Sequence, residues 1–298
     1  MKVLLTGASG QLGNALQAIL PGNVELIAGT RAELDLADAE GCRRTVLESR
    51  PDWVLNAGAY TAVDKAESES ELAYAINAGA PSAFAEALAD YGGQLLQLST
   101  DFVFDGYQGK PYKVDQVVNP LSVYGSSKAA GEKAALKFKG TRVLRTSWVY
   151  GPVGHNFCLT MLRLHAEKAS AGEALGVVAD QVGCPTSTHT LAVACWRLIT
   201  MGSDLNNHRL FHWTDAGAAT WYDFAFAIGE LAVQFGLIEN AADLRPITTD
   251  KYPTPAERPS YSLLDCSTTS QLLQLEAVPW RRSLAHVLSK LQTDALLD

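Results

Sequence analysis

Tyr124-Gly125-Ser126-Ser127-Lys128 sets a phenol and an ammonium four positions apart. On a helix that spacing puts both side chains on one face. A phenol, with an ordinary pKa of about 10, trades protons near neutrality only where positive charge favours its anion. Lys128 supplies such a charge, which makes Tyr124 a candidate acid–base group. Upstream, the apolar run that ends Leu98-Ser99-Thr100-Asp101 offers hydroxyls able to orient a substrate carbonyl. A Tyr–Lys pair by itself fits a solvated surface better than a catalytic site, so the weight falls on its surroundings.

The strongest of these is Thr6-Gly7-Ala8-Ser9-Gly10-Gln11-Leu12-Gly13, between an apolar run and a helical pattern. A dinucleotide's pyrophosphate must approach the backbone closely over the positive end of a helix, and glycines permit that. The spacing Gly-x-x-Gly-x-x-Gly is one residue longer at its first interval than the Gly-x-Gly-x-x-Gly fingerprint. Gly7, Gly10, Gln11, Leu12 and Gly13 are the expected cradle; a ligand-free tight turn is the plain alternative. The second strand ends Gly29-Thr30-Arg31 without the carboxylate that would hold the ribose hydroxyls of NAD. Arg31 is therefore expected to meet a 2′-phosphate, which favours NADPH, with NADH the alternative and a solvated Arg31 the bland one. Asp35 and Leu36 follow on the adenine side. Ala57, Gly58 and Ala59, after Asn56, supply small residues beside the cofactor.

These residues need elements to hold them. Short apolar runs at residues 3–6, 24–29, 53–56, 95–99 and 142–144 alternate with helical patterns, the first of which carries Leu12, Leu16, Ile19 and Leu20 on one face. That rhythm predicts an α/β protein with a doubly wound parallel, Rossmann-type sheet. Beyond residue 150 the pattern loosens, with helices expected at 156–168, 188–200, 222–235 and 283–291. Residues 1–150 are expected to form the dinucleotide-binding domain. Residues 151–298 should form mainly a smaller mixed α/β substrate-binding cap, with one or two later segments returning to the sheet.

Composition bounds the rest. Of 298 residues 47% are apolar and 19% charged, and 24 Lys and Arg against 32 Asp and Glu give a net charge of −8. That excludes a disordered chain and a nucleic-acid-coating role. Five scattered cysteines and an amino-terminal apolar run too short for a signal peptide point to the cytoplasm, with no membrane partner. His208 and His212 fall four apart, but on an expected strand, so no metal is assigned to them. Trp196, Trp213, Trp221 and Trp280 are expected to pack, and Cys184 to be a small filler.

Taken together, the glycine loop, Thr100 and Tyr124-x-x-x-Lys128 resemble the extended short-chain dehydrogenase/reductases. Thr61-Ala62-Val63-Asp64-Lys65-Ala66-Glu67, Ser99-Thr100-Asp101-Phe102-Val103-Phe104-Asp105-Gly106 and Arg145-Thr146-Ser147-Trp148-Val149-Tyr150 narrow the resemblance to the dTDP-4-dehydrorhamnose reductases. Asp180-Gln181-Val182-Gly183-Cys184-Pro185-Thr186 and Arg258-Pro259-Ser260-Tyr261-Ser262-Leu263-Leu264-Asp265 extend it through the cap.

The resemblance implies NADPH-dependent reduction of the 4-keto group of a dTDP-linked 6-deoxyhexose, the last step to dTDP-L-rhamnose. It makes Tyr124 the proton donor, has Lys128 lower its pKa and bind the nicotinamide ribose, and has Thr100 hydrogen-bond the carbonyl oxygen. Asn77 takes a supporting place, Thr61, Val63, Asp101 and Trp148 border the sugar, and Arg258 meets the diphosphate unless it forms an interdomain salt bridge. The similar 4,6-dehydratases carry Asp-Glu after the threonine, whereas Asp101-Phe102 here lacks the second carboxylate elimination needs. Some family members are dimers bridged by Mg²⁺ through an acid on the first helix; Asn14-Ala15 stands there instead, so no metal is expected and a homodimer is left open. The alternatives are a reductase or epimerase of another nucleotide sugar, or a non-catalytic regulatory or binding subunit of the same fold.

Overall fold

The computed structural model describes residues 1–201, 205 and 208–295. Its centre is a six-stranded, wholly parallel sheet: β1 (Lys2–Thr6), β2 (Glu25–Gly29), β3 (Trp53–Asn56), β4 (Gln94–Thr100), β5 (Thr141–Thr146) and β6 (Leu210–His212), in the spatial order β6-β5-β4-β3-β1-β2. The chain leaves β1 for β2 on one side and returns to β3 on the other. In open α/β sheets the crevice at such a reversal is where ligands settle. β1 alternates its side chains between two cores, as a strand with both faces covered must. Val3 and Leu5 join Trp53, Leu55, Leu96 and Leu98 on one face, while Leu4 joins Val54 and Leu95 on the other.

Helix α1 (Gln11–Ala18) covers the first face and α2 (Ala39–Ser49) the second. Leu16 is buried and Leu12 and Ile19 pack beside it, but the helix stops at Ala18 and Leu20 stands exposed beyond it. Pro21-Gly22 explains that early end. Next comes α3 over residues 70–89, α-helical at Ser70–Tyr74 and Ala80–Ala89 with a π turn, Ala75–Gly79, between. Helix α4 (Val123–Ala135) links β4 to β5 and is capped by Ser122, whose hydroxyl accepts from Gly125 N at 3.2 Å.

Between β5 and β6 lie α5 (Phe157–Ala171) and α6 (Thr188–Thr200). α6 lies on the sheet: Leu191, Cys195 and Leu198 join the first core, and Trp196 Nε1 donates to Leu16 O at 3.0 Å. α5 belongs to a separate core with α7 (Trp221–Gln234) and α8 (Trp280–Ala295), filled by Met161, Phe224, Ile228, Leu284 and Leu288. A short parallel pair, Leu175–Val178 with Leu244–Ile247, flanks that core. No helix among the described residues is long and apolar enough to cross a membrane.

Candidate active site

The glycine loop leaves β1 by a left-handed step at Gly7 (φ +65°), where a side chain is strained. A Cβ there would also lie 2.8 Å from the Gly58 backbone, so the turns after β1 and β3 interlock at the sheet's reversal. At Gly13 a Cβ would stand 2.2 Å from Gly7 O, which lets α1 close against the loop. No acidic residue occupies the first turn of α1. Two glycines that admit no side chain and an uncountered helix dipole fit a pyrophosphate.

The other cradle residues divide by side chain. Leu12 packs into the sheet core beside Ala57, leaving only its backbone to the loop. Gln11 turns to the chain entering α5: its amide donates to His155 O at 3.0 Å and its carbonyl accepts from Asn156 at 2.9 Å. Arg31 and Asp35 stand exposed on the loop after β2, with Leu36 half-buried against Gly58. A carboxylate does lie on that turn, two residues past Arg31. Glu33 accepts from the Thr30 backbone and hydroxyl at 2.9 and 2.8 Å, which lowers its pKa and ties it into the loop.

Thr100 ends β4 and Tyr124 opens α4, and they meet because α4 approaches without a side chain at Gly125. A Cβ there would lie 2.2 Å from Phe102 O. Thr100 Oγ1 donates to Asp101 Oδ1 at 3.0 Å and accepts from Phe102 N at 3.2 Å, and the Tyr124 ring meets the Phe102 ring edge-on with centroids 5.7 Å apart. Burial and the Asp101 charge push Tyr124 up to about 12, with the nearby Thr100 hydroxyl opposing, so it is a phenol at neutral pH. Burial raises Asp101 to about 6 although Thr100 hydrogen-bonds its Oδ1, and its Oδ2 is buried without a partner. Lys128 is pulled down to about 8 by burial, with the Glu132 carboxylate opposing. Its Nζ donates to Leu98 O at 2.7 Å.

Behind Lys128, Glu132 is paired with Arg145 through two bonds of 2.9 and 2.6 Å, both side chains being buried. Arg145 also reaches Val114 O and the His212 ring, and burial with that positive charge drops His212 to about 3. His208 lies outside β6 and exposed, so the two histidines stand in different environments. Among the described residues no three His, Cys, Asp or Glu side chains are grouped to hold a metal ion.

Asn77 sits in the π turn, and Gly131 of α4 passes it so closely that a Cβ would lie 2.0 Å from Asn77 O. Its amide donates to Tyr60 O and Ser127 Oγ at 3.1 and 3.0 Å, and its carbonyl accepts from Tyr60 N at 2.9 Å. It thus clamps the 57–61 segment to α4, one residue from Lys128, and Ala59 lies half-buried within that segment.

Of the residues expected at the sugar, Trp148 holds a left-handed backbone (φ +45°), uncommon for so bulky a residue. Two features stabilise it. Gly183 yields the space, since a Cβ there would lie 2.5 Å from the indole. Trp221 stacks face to face on it at 3.5 Å and 6°, anchored by a 3.1 Å bond from its Nε1 to Gln181. Trp196 and Trp213 are core residues, and Cys184 is buried with its thiol toward Asp215 O. Thr61 is exposed and Val63 half-buried at the start of a one-turn helix. The next residue, Asp64, grips Arg258 at 3.1 and 2.8 Å, and Thr254 and Ala256 O complete that guanidinium's partners. Of its two expected partners, Arg258 is thus seen on a carboxylate, in a salt bridge with Asp64.

Comparison with known proteins places the whole chain in a family. A family described as the RmlD substrate binding domain matches residues 1–293. The dTDP-4-dehydrorhamnose reductase of Aggregatibacter actinomycetemcomitans is 38% identical, over 96% of this chain and 98% of that protein. The chain belongs to this reductase family. A Streptomyces antibioticus relative, a probable dTDP-4,6-dihydroxy-2-methyloxan-3-one 4-ketoreductase, is 41% identical over 89% of this chain and 86% of its own length. Among solved structures, the Bacillus anthracis dTDP-4-dehydrorhamnose reductase in complex with NADP superposes with a TM-score of 0.87 at 32% identity, over 97% and 99% of the two chains. The family fold, with helices on both sides of a mostly parallel sheet, is the one described above.

Some residues of this site escaped the sequence pattern. Gly125 and Gly131 read there only as helix residues. Trp221 read as packing, and its partner Trp148 lies 73 positions away. Gln97, a polar side chain among leucines on β4, was a visible signal that no motif explained.

Proposed function

We propose that this protein is an NADPH-dependent reductase of the 4-keto group of dTDP-4-dehydro-L-rhamnose, yielding dTDP-L-rhamnose. Residues 1–150, completed by α6 and β6, would serve the cofactor, and 151–298 mainly the sugar nucleotide. The observation that carries this reading is the close approach of α4 to the end of β4, which brings Tyr124 beside the Thr100–Phe102 turn and Lys128 onto Leu98 O, in a chain whose glycine cradle fits a pyrophosphate. When bound, NADPH supplies a hydride to the carbonyl carbon. Tyr124 is a phenol at neutral pH and passes its proton to the carbonyl oxygen. The Lys128 ammonium favours the phenolate left behind and has protons to spare for a ribose hydroxyl beyond its bond to Leu98 O. Thr100 turns its hydroxyl from Asp101 to the substrate oxygen. Asp101, with no second carboxylate beside it, opposes ionisation of Tyr124 and supports reduction over elimination.

Trp148 and Val63 would flank the sugar, and Arg258 would exchange Asp64 for the diphosphate. Following NADPH absorbance with dTDP-4-dehydro-L-rhamnose tests the proposal: oxidation by the wild type is expected, and none with authentic substrate overturns it. A second reading rests on the Streptomyces relative at 41% identity. The same residues would then reduce a different dTDP-linked 4-keto sugar, and a kcat/KM comparison of the two sugars decides.

A further inference from the structure

Three polar side chains cross the sheet side by side beneath the cleft. Thr6, Asn56 and Gln97 sit in mutual register on β1, β3 and β4, exposed by only 1%, 1% and 2%. Their bonds run in one direction. Gly58 N donates to Thr6 Oγ1 at 3.0 Å, which leaves the hydroxyl proton for Asn56 Oδ1 at 2.5 Å. Asn56 Nδ2 donates to Gln97 Oε1 at 2.7 Å, and Gln97 Nε2 donates to Leu98 O at 2.7 Å. That carbonyl also receives Lys128 Nζ, at 2.7 Å.

Burying two amides and a hydroxyl in an apolar sheet costs free energy unless every bond is made, and aliphatic side chains would fill the space without that condition. Pairing of β3 with β4 ends at Asn56–Gln97, and the Leu98 carbonyl just beyond is taken by the two side-chain donors. The row therefore starts on the glycine that seats Gly7 and ends on the oxygen that holds the lysine.

We propose that Gln97 is a positioning residue for Lys128. Its amide fixes the direction of the Leu98 carbonyl, and Thr6 and Asn56 fix the direction of that amide. The ammonium is thereby held at one height above the sheet, one helical turn from Tyr124, and the setting is shared with the cradle through Gly58. The inference rests on the proposed role of Lys128, and the test separates the two.

Steady-state rates and Tm are measured for the wild type, Gln97→Met, Lys128→Ala, their double variant and Thr6→Val. Lys128→Ala is expected to lose about 100-fold in kcat; a wild-type rate there removes the lysine's role itself, and Gln97's with it. Gln97→Met is expected to lower kcat about tenfold, in the range of coupling between residues of one network, with the sugar-nucleotide KM within about twofold. In the Lys128→Ala background the same substitution should change kcat by less than about twofold, because the group it acts through is gone. Thr6→Val, farther along the row, should cost about two- to threefold and be likewise silent without Lys128. Full kcat in a folded Gln97→Met, or an equal loss with and without Lys128, overturns the proposal. Should Gln97→Met not fold, Thr6→Val in the two backgrounds decides by the same criterion.

Discussion

Around the glycine loop, backbone meets backbone. Gly7 rests on Gly58, and Gly13 lies under the carbonyls of Gly7 and Ala8. Around Trp148 and Arg258, side chain meets side chain: Trp148 lies on Trp221, and Arg258 on Asp64. A backbone cradle has no rotamers to lose and fits a group common to all dinucleotides. Side-chain pairs drawn from distant segments can exchange one partner for another, which would suit the proposed task of telling one sugar from the next. The Thr100–Tyr124–Lys128 group lies between them and takes its support from the sheet.

The largest expected effect falls on that shared group. Tyr124→Phe should lower kcat/KM by about 10²- to 10⁴-fold, the usual worth of a general acid, with NADPH affinity nearly kept. Equal rates for the two proteins would remove Tyr124 from the chemistry. Next comes the rigid side. Gly13→Ala puts a methyl against a carbonyl oxygen with no side chain to move, so a stability loss of about 1–3 kcal/mol is expected. Thermal melts should show it together with weakened NADPH binding, and a variant with native Tm and affinity would mean that the cradle yields.

The pH profile tests the centre. Lys128 carries its proton below about 8 and loses it above, so kcat/KM should be level at neutrality and fall on the alkaline side with a midpoint near 8. Glu132 raises the Lys128 pKa, so a folded Glu132→Gln should move that fall to lower pH. The adaptable side gives smaller effects. Trp221→Ala should raise the sugar-nucleotide KM about tenfold while kcat and the NADPH KM stay put, since a stacked aromatic pair is worth about 0.5–1.5 kcal/mol. Smallest is Asp64→Asn. A partly exposed ion pair contributes about 0–1 kcal/mol, so Tm should barely move, and the freed Arg258 should bind sugar nucleotide equally well or better. A weaker KM there would assign Arg258 to the strap between domains and not to the diphosphate.

What the chain discloses before it is folded follows the same division. The glycine loop and the Tyr124–Lys128 pair are local: their meaning lies in spacings of three and four residues, which turns and helices convert directly into geometry. The sheet was legible for a related reason, since its strands are apolar runs with both faces covered. Asp64 and Arg258 are separated by 194 positions, and neither residue's neighbours announce the other. Nor does spacing show which glycine of a helix exists for a close crossing, as Gly125 and Gly131 do. The exposed Leu20 misled for a simple reason: periodicity continued past the point where Pro21 allowed a helix.

The order of strands in the chain bears on how the molecule is made. The face of the sheet that holds Val3, Leu5, Trp53 and Leu144 is extended by Phe211 of β6 and packed by Leu191, Cys195 and Leu198 of α6, all synthesised after α5. A nascent chain that has reached residue 150 has every glycine of the cradle and the Tyr124–Lys128 pair. It also has one apolar face covered by α1 without α6 and, at β5, an open sheet edge where β6 has yet to arrive. Ribosome-bound chains should stay dependent on chaperones until residue 212 has emerged, and a cofactor-binding fragment cut at residue 150 should aggregate when expressed alone.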